Sequence, residues 1–233
     1  MTEVSIRFLR GEPDEKTLIS LYDTVIAPSF VAAEREPLNR LRRVLAADEL
    51  RGAIAVTPDG EPVGALFLEW FADIRAALLC YFAVRPDLRG AGIGRRLVAG
   101  AAPRWRAELG PHAVFAEAGD PGAARSGDGD YGDDDARLRL YAGFGARRLP
   151  IPYLMPQLSP GAGRLADLLL LVVEADEVVS PAPDRIRSAI VAGFLERYFT
   201  RQEGSPLRDD DGRLGRLLAE CRRADSLPLI AIH

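Results

Sequence analysis

The sequence predicts a mixed α/β fold, a sheet flanked by helices, followed by a C-terminal helical extension. Three observations predict it. The apolar period switches repeatedly between two and about 3.6 residues through the first three quarters of the chain. Strand-like runs alternate with helix-like runs and end in a hairpin. Beyond Ser180-Pro181-Ala182-Pro183 the composition shifts, and two stretches carry apolar residues at helical spacing.

Each element follows from its local pattern. Val4 to Leu9 alternates as a strand. Glu15 to Ile26 carries Leu18, Leu21, Tyr22 and Val25 at helical spacing, and Leu38 to Leu50 repeats Leu38, Leu41, Val44 and Leu45 as a second amphipathic helix. Ala53 to Val56, Pro58-Asp59-Gly60 and Pro62 to Phe71 read as a hairpin around a turn. Ala77 to Val84 is apolar nearly throughout, as in a strand buried on both faces. Gly90 to Glu108 opens with glycines and becomes helical through Ile93, Leu97, Val98, Ala101 and Trp105. Ala113 to Ala116 is a short strand, followed by a Gly/Asp-rich loop from Gly119 to Asp135. A helix from Asp134 to Tyr141 and strands at Ala146 to Met155 and Leu165 to Val173 complete the alternation. In the extension, Asp184 to Gln202 places Ile186, Ile190, Phe194 and Tyr198 at successive i+4 positions, flanked by Val191, Leu195 and Phe199. Gly212 to Arg223 carries Leu214, Leu217, Leu218 and Cys221.

Composition excludes several classes of function. The net charge of -4 does not suit a nucleic-acid glove, so no nucleic-acid partner is expected. No apolar stretch reaches the ~18 residues of a membrane span, and the opening MTEVSIRFLRGEPDEK lacks the basic-then-apolar order of a secretory signal; neither membrane nor export is expected. Lys16 is the only lysine and lies in no Gly-Lys-Ser/Thr context, which excludes a Walker-type phosphate loop. Cys80 and Cys221 are far apart and outside any CxxC pair, the usage of a reduced, cytoplasmic protein with packing thiols. With only His112 and His233 to join them, no metal site is expected.

The chemically informative stretch runs from Val84 to Arg96. A strand ends, a glycine loop turns, and a helix begins. Unpaired N–H groups at such a helix start suit a pyrophosphate, with Arg89, Arg95 or Arg96 to assist. The dinucleotide fingerprint GxGxxG fails, because the third glycine falls at Arg95 or Leu97. The pattern that fits is Arg89-x-x-Gly92-x-Gly94. With its lead-in Val84-Arg85-Pro86-Asp87-Leu88-Arg89-Gly90, this resembles motif A of the GNAT acyl-CoA N-acyltransferases. A second block, Asp134 to Ala146, resembles the family's N-x-x-A-x-x-L-Y-x-x-x-G-F segment. Tyr141 and Gly145 match, while Asp134, Arg137 and Ala146 depart from its Asn, Ala and Phe. The resemblance spans roughly residues 4 to 175 and stops before the tail.

The resemblance implies a GNAT-type mixed, mostly antiparallel central sheet flanked by helices. Residues 1–178 would form the acetyltransferase domain, and residues 179–233 an extension packed on it or in a homodimer interface. It also implies acetyl-CoA as cosubstrate, bound by Phe82, Ala83 and Val84 and by the loop of Arg89, Gly90, Ala91, Gly92, Ile93, Gly94 and Arg95. The expected reaction moves acetyl to a primary amine, on a small molecule or a peptide terminus, by direct attack without a covalent enzyme intermediate. Tyr141 is the implied general acid facing the CoA sulfur. Glu117, at the end of a strand, is the implied base, as in the ribosomal-protein alanine N-acetyltransferase branch. Glu69, beside Trp70, is its rival. A degenerate member that binds acyl-CoA as a sensor or scaffold is the alternative. Asp128, Asp130, Asp133, Asp134 and Asp135 would attract a cationic acceptor or else form a solvated loop. His112 reads as a loop residue.

Overall fold

A computed structural model describes residues 3–123, 134–204, 207 and 212–232. They fall into two compact units. The first holds residues 3–70 and 78–110, and the second holds 71–77, 111–123 and the described residues from 134 onward.

In the first unit the strand order is β1 (Ser5–Leu9), β2 (Leu50–Val56), β3 (Pro62–Phe71) and β4 (Ala76–Val84), and the unit holds β1 and β2 and most of β3 and β4. β1 pairs antiparallel with β2 from Ser5↔Val56 to Leu9↔Gly52, and β2 pairs antiparallel with β3. One face is covered by α1 (Glu15–Leu21) and α2 (Leu38–Ala46), whose Leu18, Leu21, Leu41 and Leu45 join Phe67 and Tyr81 in the core. Asp14 caps α1 by accepting from the Thr17 N–H at 2.9 Å. The expected helix to Ile26 does not stay α-helical. It widens into a π-turn over Tyr22–Ile26 and tightens into a 3-10 turn at Ala27–Ser29, where Pro28 has no N–H to continue the ladder. α2 stops at Ala46, and Leu50 belongs to β2 instead. α3 (Ile93–Leu109) approaches β3 closely because residue 64 is glycine. A Cβ there would lie 3.0 Å from Leu97 and 3.2 Å from Ile93. The expectation that β4 is buried on both faces holds for Ala76–Leu78 only; Leu79, Cys80, Phe82 and Val84 are half-buried.

In the second unit the strand order is β5 (Ala113–Gly119), β7 (Leu168–Ala175) and β6 (Arg147–Arg148), paired antiparallel throughout. Of the strand expected over Ala146 to Met155, only Arg147–Arg148 form a ladder, and Met155 pairs separately with Leu165 in an isolated antiparallel bridge; Pro150 and Pro152 withhold the N–H groups that a continuous ladder needs. α4 (Asp134–Gly143) ends in a Schellman turn. Gly145, at φ 85°, donates to Ala142, and Ala146 donates to the Tyr141 carbonyl at 3.1 Å. The extension adds a small hairpin of β8 (Arg185–Arg187) and β9 (Ser226–Pro228) around α5 (Ser188–Glu203) and α6 (Arg213–Cys221). Ile186 therefore lies on a strand, not on the helix expected from its spacing. The stripe itself is covered by this chain: Phe194, Leu195 and Phe199 are fully buried and Tyr198 is 2% exposed. Cys221 is also buried, and burial pushes its thiol up to about 12. Among the described residues no helix is long and apolar enough to cross a membrane.

Candidate active site

The glycine loop is built from backbone. β4 ends with the Arg85 N–H bonded to the Val63 carbonyl at 3.0 Å, and Pro86–Leu88 form a 3-10 turn. Arg85 closes on Asp87 at 2.7 Å, which holds the Asp87 carboxyl below the usual carboxylate range and neutralises the one acid of this stretch. Gly90 and Gly92 then take φ of 80° and 79°, a region L side chains rarely adopt, and a Cβ at either would meet nothing within 4 Å. The backbone at these two positions is thus open to a ligand.

Gly92 is the N-cap of α3, no side chain caps the helix, and its first turn contains no acid. The ladder begins with Arg96 N–H to the Gly92 carbonyl at 3.2 Å, so the N–H groups of Ile93, Gly94 and Arg95 precede it. Gly94 has a packing reason as well: a Cβ would lie 3.2 Å from the Phe82 ring, on which the first turn rests. Arg89 reaches the Ser29 hydroxyl at 3.3 Å and the Val84 carbonyl at 3.4 Å, and Arg95 is exposed. Ala83 points into the core beside Tyr81, while Phe82 and Val84 lie on the opposite face under α3. Open left-handed glycines, an uncapped N-terminus of a 17-residue helix and adjacent guanidinium groups fit the pyrophosphate of coenzyme A.

The second unit carries a different kind of site. Glu117 lies on β5 opposite Leu170 of β7 and is half-buried. Its Oε1 accepts a hydrogen bond from the Tyr153 hydroxyl, and its Oε2 accepts one from Tyr198 at 3.3 Å. Burial, together with the Glu117 carboxylate, pushes the Tyr153 phenol well above its ordinary value, so it remains a donor through the neutral range. The Tyr198 ring is held by a column: Phe115 stacks on Phe194 at 4.4 Å, and Phe194 on Tyr198 at 5.6 Å.

The remaining sequence candidates are more enclosed. Tyr141, in the last turns of α4, is 3% exposed. Glu69, opposite Leu50, is 5% exposed in the first unit. His112 precedes β5 and bonds through Nδ1 to the Asp176 carboxylate at 2.7 Å. Asp128, Asp130 and Asp133 lie outside the described residues. Asp134 packs its carboxyl where a Cβ on Gly119 would sit, at 2.6 Å, so any larger residue at 119 would displace that side chain.

Sequence reasoning did not single out Tyr153 or Tyr198 as site residues. Tyr153 read as part of a strand, and Tyr198 as one member of an apolar stripe. A signal was available in Tyr198, since a tyrosine in a stripe that must be buried needs a partner for its hydroxyl. What that partner is could not be read, because Glu117 lies 81 residues away.

Residues 18–125 match the Acetyltransferase (GNAT) family. No curated protein sequence matches the chain. Among solved structures, a putative acetyltransferase from GNAT family from Bacteroides thetaiotaomicron is 19% identical, with TM-score 0.54, covering 73% of this chain and 87% of its own. An acetyltransferase from Streptococcus agalactiae is 17% identical, with TM-score 0.52, covering 72% and 96%. The ribosomal-protein-S18-alanine N-acetyltransferase from Escherichia coli is 16% identical, with TM-score 0.50, covering 75% and 96%. At these identities the likeness is one of fold.

Proposed function

We propose that this chain, which carries a GNAT acetyltransferase domain over residues 18–125 and is an acyltransferase, moves acetyl from acetyl-CoA to a primary amine by direct attack. The observation that carries this reading is the loop of Arg89 to Arg95, where Gly90 and Gly92 at positive φ leave the backbone open beside an uncapped helix start. Bound acetyl-CoA supplies the activated acyl group. The N–H groups of Ile93, Gly94 and Arg95 donate to its pyrophosphate, with Arg89 adding charge-assisted bonds. The strand end at Phe82, Ala83 and Val84 aligns the pantetheine arm.

In this reading Glu117 takes the proton that the acceptor ammonium must lose before its nitrogen can attack. The Tyr141 hydroxyl delivers a proton to the departing sulfur. Glu117 is favoured over Glu69 because it is half-exposed and its carboxylate is oriented by two hydroxyls. Residues 1–178 are read as the acetyltransferase domain, and residues 179–233 as an extension whose α5 lies against Phe115. The acceptor is a small-molecule amine or a peptide terminus. The test is release of free thiol from acetyl-CoA across a panel of amines and amino-terminal peptides. Amine-dependent thiol release supports the reading. CoA binding without release from any amine overturns it in favour of an acyl-CoA-binding sensor or scaffold.

A further inference from the structure

Helix and strand spacing bring Tyr198 over Glu117. Two residues along a strand advance about 6.7 Å, and four residues along a helix advance about 6 Å. Phe115 and Glu117 are therefore spaced along β5 nearly as Phe194 and Tyr198 are spaced along α5. With Phe194 stacked on Phe115 at 4.4 Å, the next turn of α5 sets Tyr198 above the carboxylate. The ring has little freedom there. It stacks on Phe194 at 5.6 Å and meets the edge of Phe71 at 6.5 Å. Tyr153 approaches from the segment after β6 and takes the other carboxylate oxygen.

Arg197 pairs with Asp73, Arg164 pairs with Glu203 at 2.6 Å, and the Arg201 guanidinium lies over the Phe71 ring at 4.2 Å. The Tyr198 phenol bonds the Glu117 carboxylate from α5, and the Tyr153 phenol bonds it from the segment after β6.

We propose that Tyr198 and Tyr153 are positioning residues for Glu117, so that the C-terminal helix α5, outside the matched segment 18–125, orients the base of the transfer reaction. The inference rests on Glu117 being that base. Each hydroxyl bonds one carboxylate oxygen, and the two together restrain the carboxyl plane. Hydrogen bonds to the ionised form also favour it, so loss of either donor makes Glu117 a more proton-retentive base.

The experiment compares the full-length parent with Tyr198→Phe, Tyr153→Phe, Glu117→Gln and Phe199→Leu. The readouts are the pH dependence of thiol release with the best amine and the titration of the Glu117 carboxyl by carbon NMR on glutamate-labelled protein, its signal identified by loss in Glu117→Gln. Tyr198→Phe and Tyr153→Phe each move the acidic limb and the carboxyl titration upward, by roughly half to one pH unit per lost donor. Phe199→Leu, which disturbs α5 packing without touching a hydroxyl, lowers the melting temperature and moves neither. If Glu117→Gln erases the acidic limb while Tyr198→Phe leaves limb and titration at the parent positions, the positioning role is overturned and the base stands. If Glu117→Gln keeps the acidic limb, the base reading falls and the positioning role with it.

Discussion

The two units carry site-like features of opposite construction. In the first, the glycine loop uses backbone N–H groups from consecutive residues, and its side chains matter mostly by being absent. In the second, the Glu117 cluster uses side chains from positions 117, 153 and 198, brought together by a strand, a proline-rich segment and a helix. A loop of the first kind depends on local conformation. A cluster of the second kind depends on packing over the whole unit. Damage to the chain should therefore separate them.

Four tests break or sharpen that contrast, in decreasing order of effect. A chain ending at Ser180 loses Phe194, Leu195, Tyr198 and Phe199, each worth about 1.5–3 kcal/mol of burial, against a typical net stability of ~5–15 kcal/mol. It should aggregate or melt well below the parent; a soluble truncated chain with the parent melting temperature would show that the rest of the second unit folds without the tail. Gly92→Glu next puts a side chain at φ 79° and a negative charge where backbone meets pyrophosphate. CoA affinity by calorimetry should fall by roughly 100-fold or more in a protein that still folds, and retained affinity removes the loop from CoA binding.

The third and fourth tests concern proton transfer and pH. Tyr141→Phe should lower turnover by about 10- to 1000-fold with CoA affinity nearly unchanged, and equal rates would remove Tyr141 from the chemistry. The smallest effect is on stability in alkali. Burial raises both Tyr81, in the first unit beside Glu36, and Tyr153, in the second beside Glu117, well above the ordinary phenol value. A group raised on folding contributes its stability below its unfolded value, near pH 10, and loses it as pH climbs toward the folded value. Thermal melts above about pH 10 should fall, less steeply in Tyr81→Phe or Tyr153→Phe; an unchanged slope in both would place the alkaline loss elsewhere.

The difference in construction also explains what could be read in advance. Arg89, Gly92 and Gly94 were legible because their spacing is the site: Gly92 turns the chain at positive φ, Gly94 lets the first turn rest on Phe82, and the helix start supplies the donors. The element order from β1 to β7 was legible through period switching. Its interruptions were not all legible in detail, since Pro28 turned one helix into wider and tighter turns, and Pro150 and Pro152 shortened β6 to two residues. Glu117 could be nominated from its strand position, but its two tyrosine partners could not.

By itself the sequence determined the alternation of strands and helices, the glycine loop between a strand and a helix, and the apolar stripe of α5. Each depends on conformational preferences or periodicities acting within a few residues. Only the tertiary structure decided that Phe194 stacks on Phe115, that Tyr198 thereby bonds to Glu117, and that Tyr153 completes the pair. The physical reason is that a buried hydroxyl must find an acceptor, while which acceptor it finds depends on how a helix and a strand of different rise come into register.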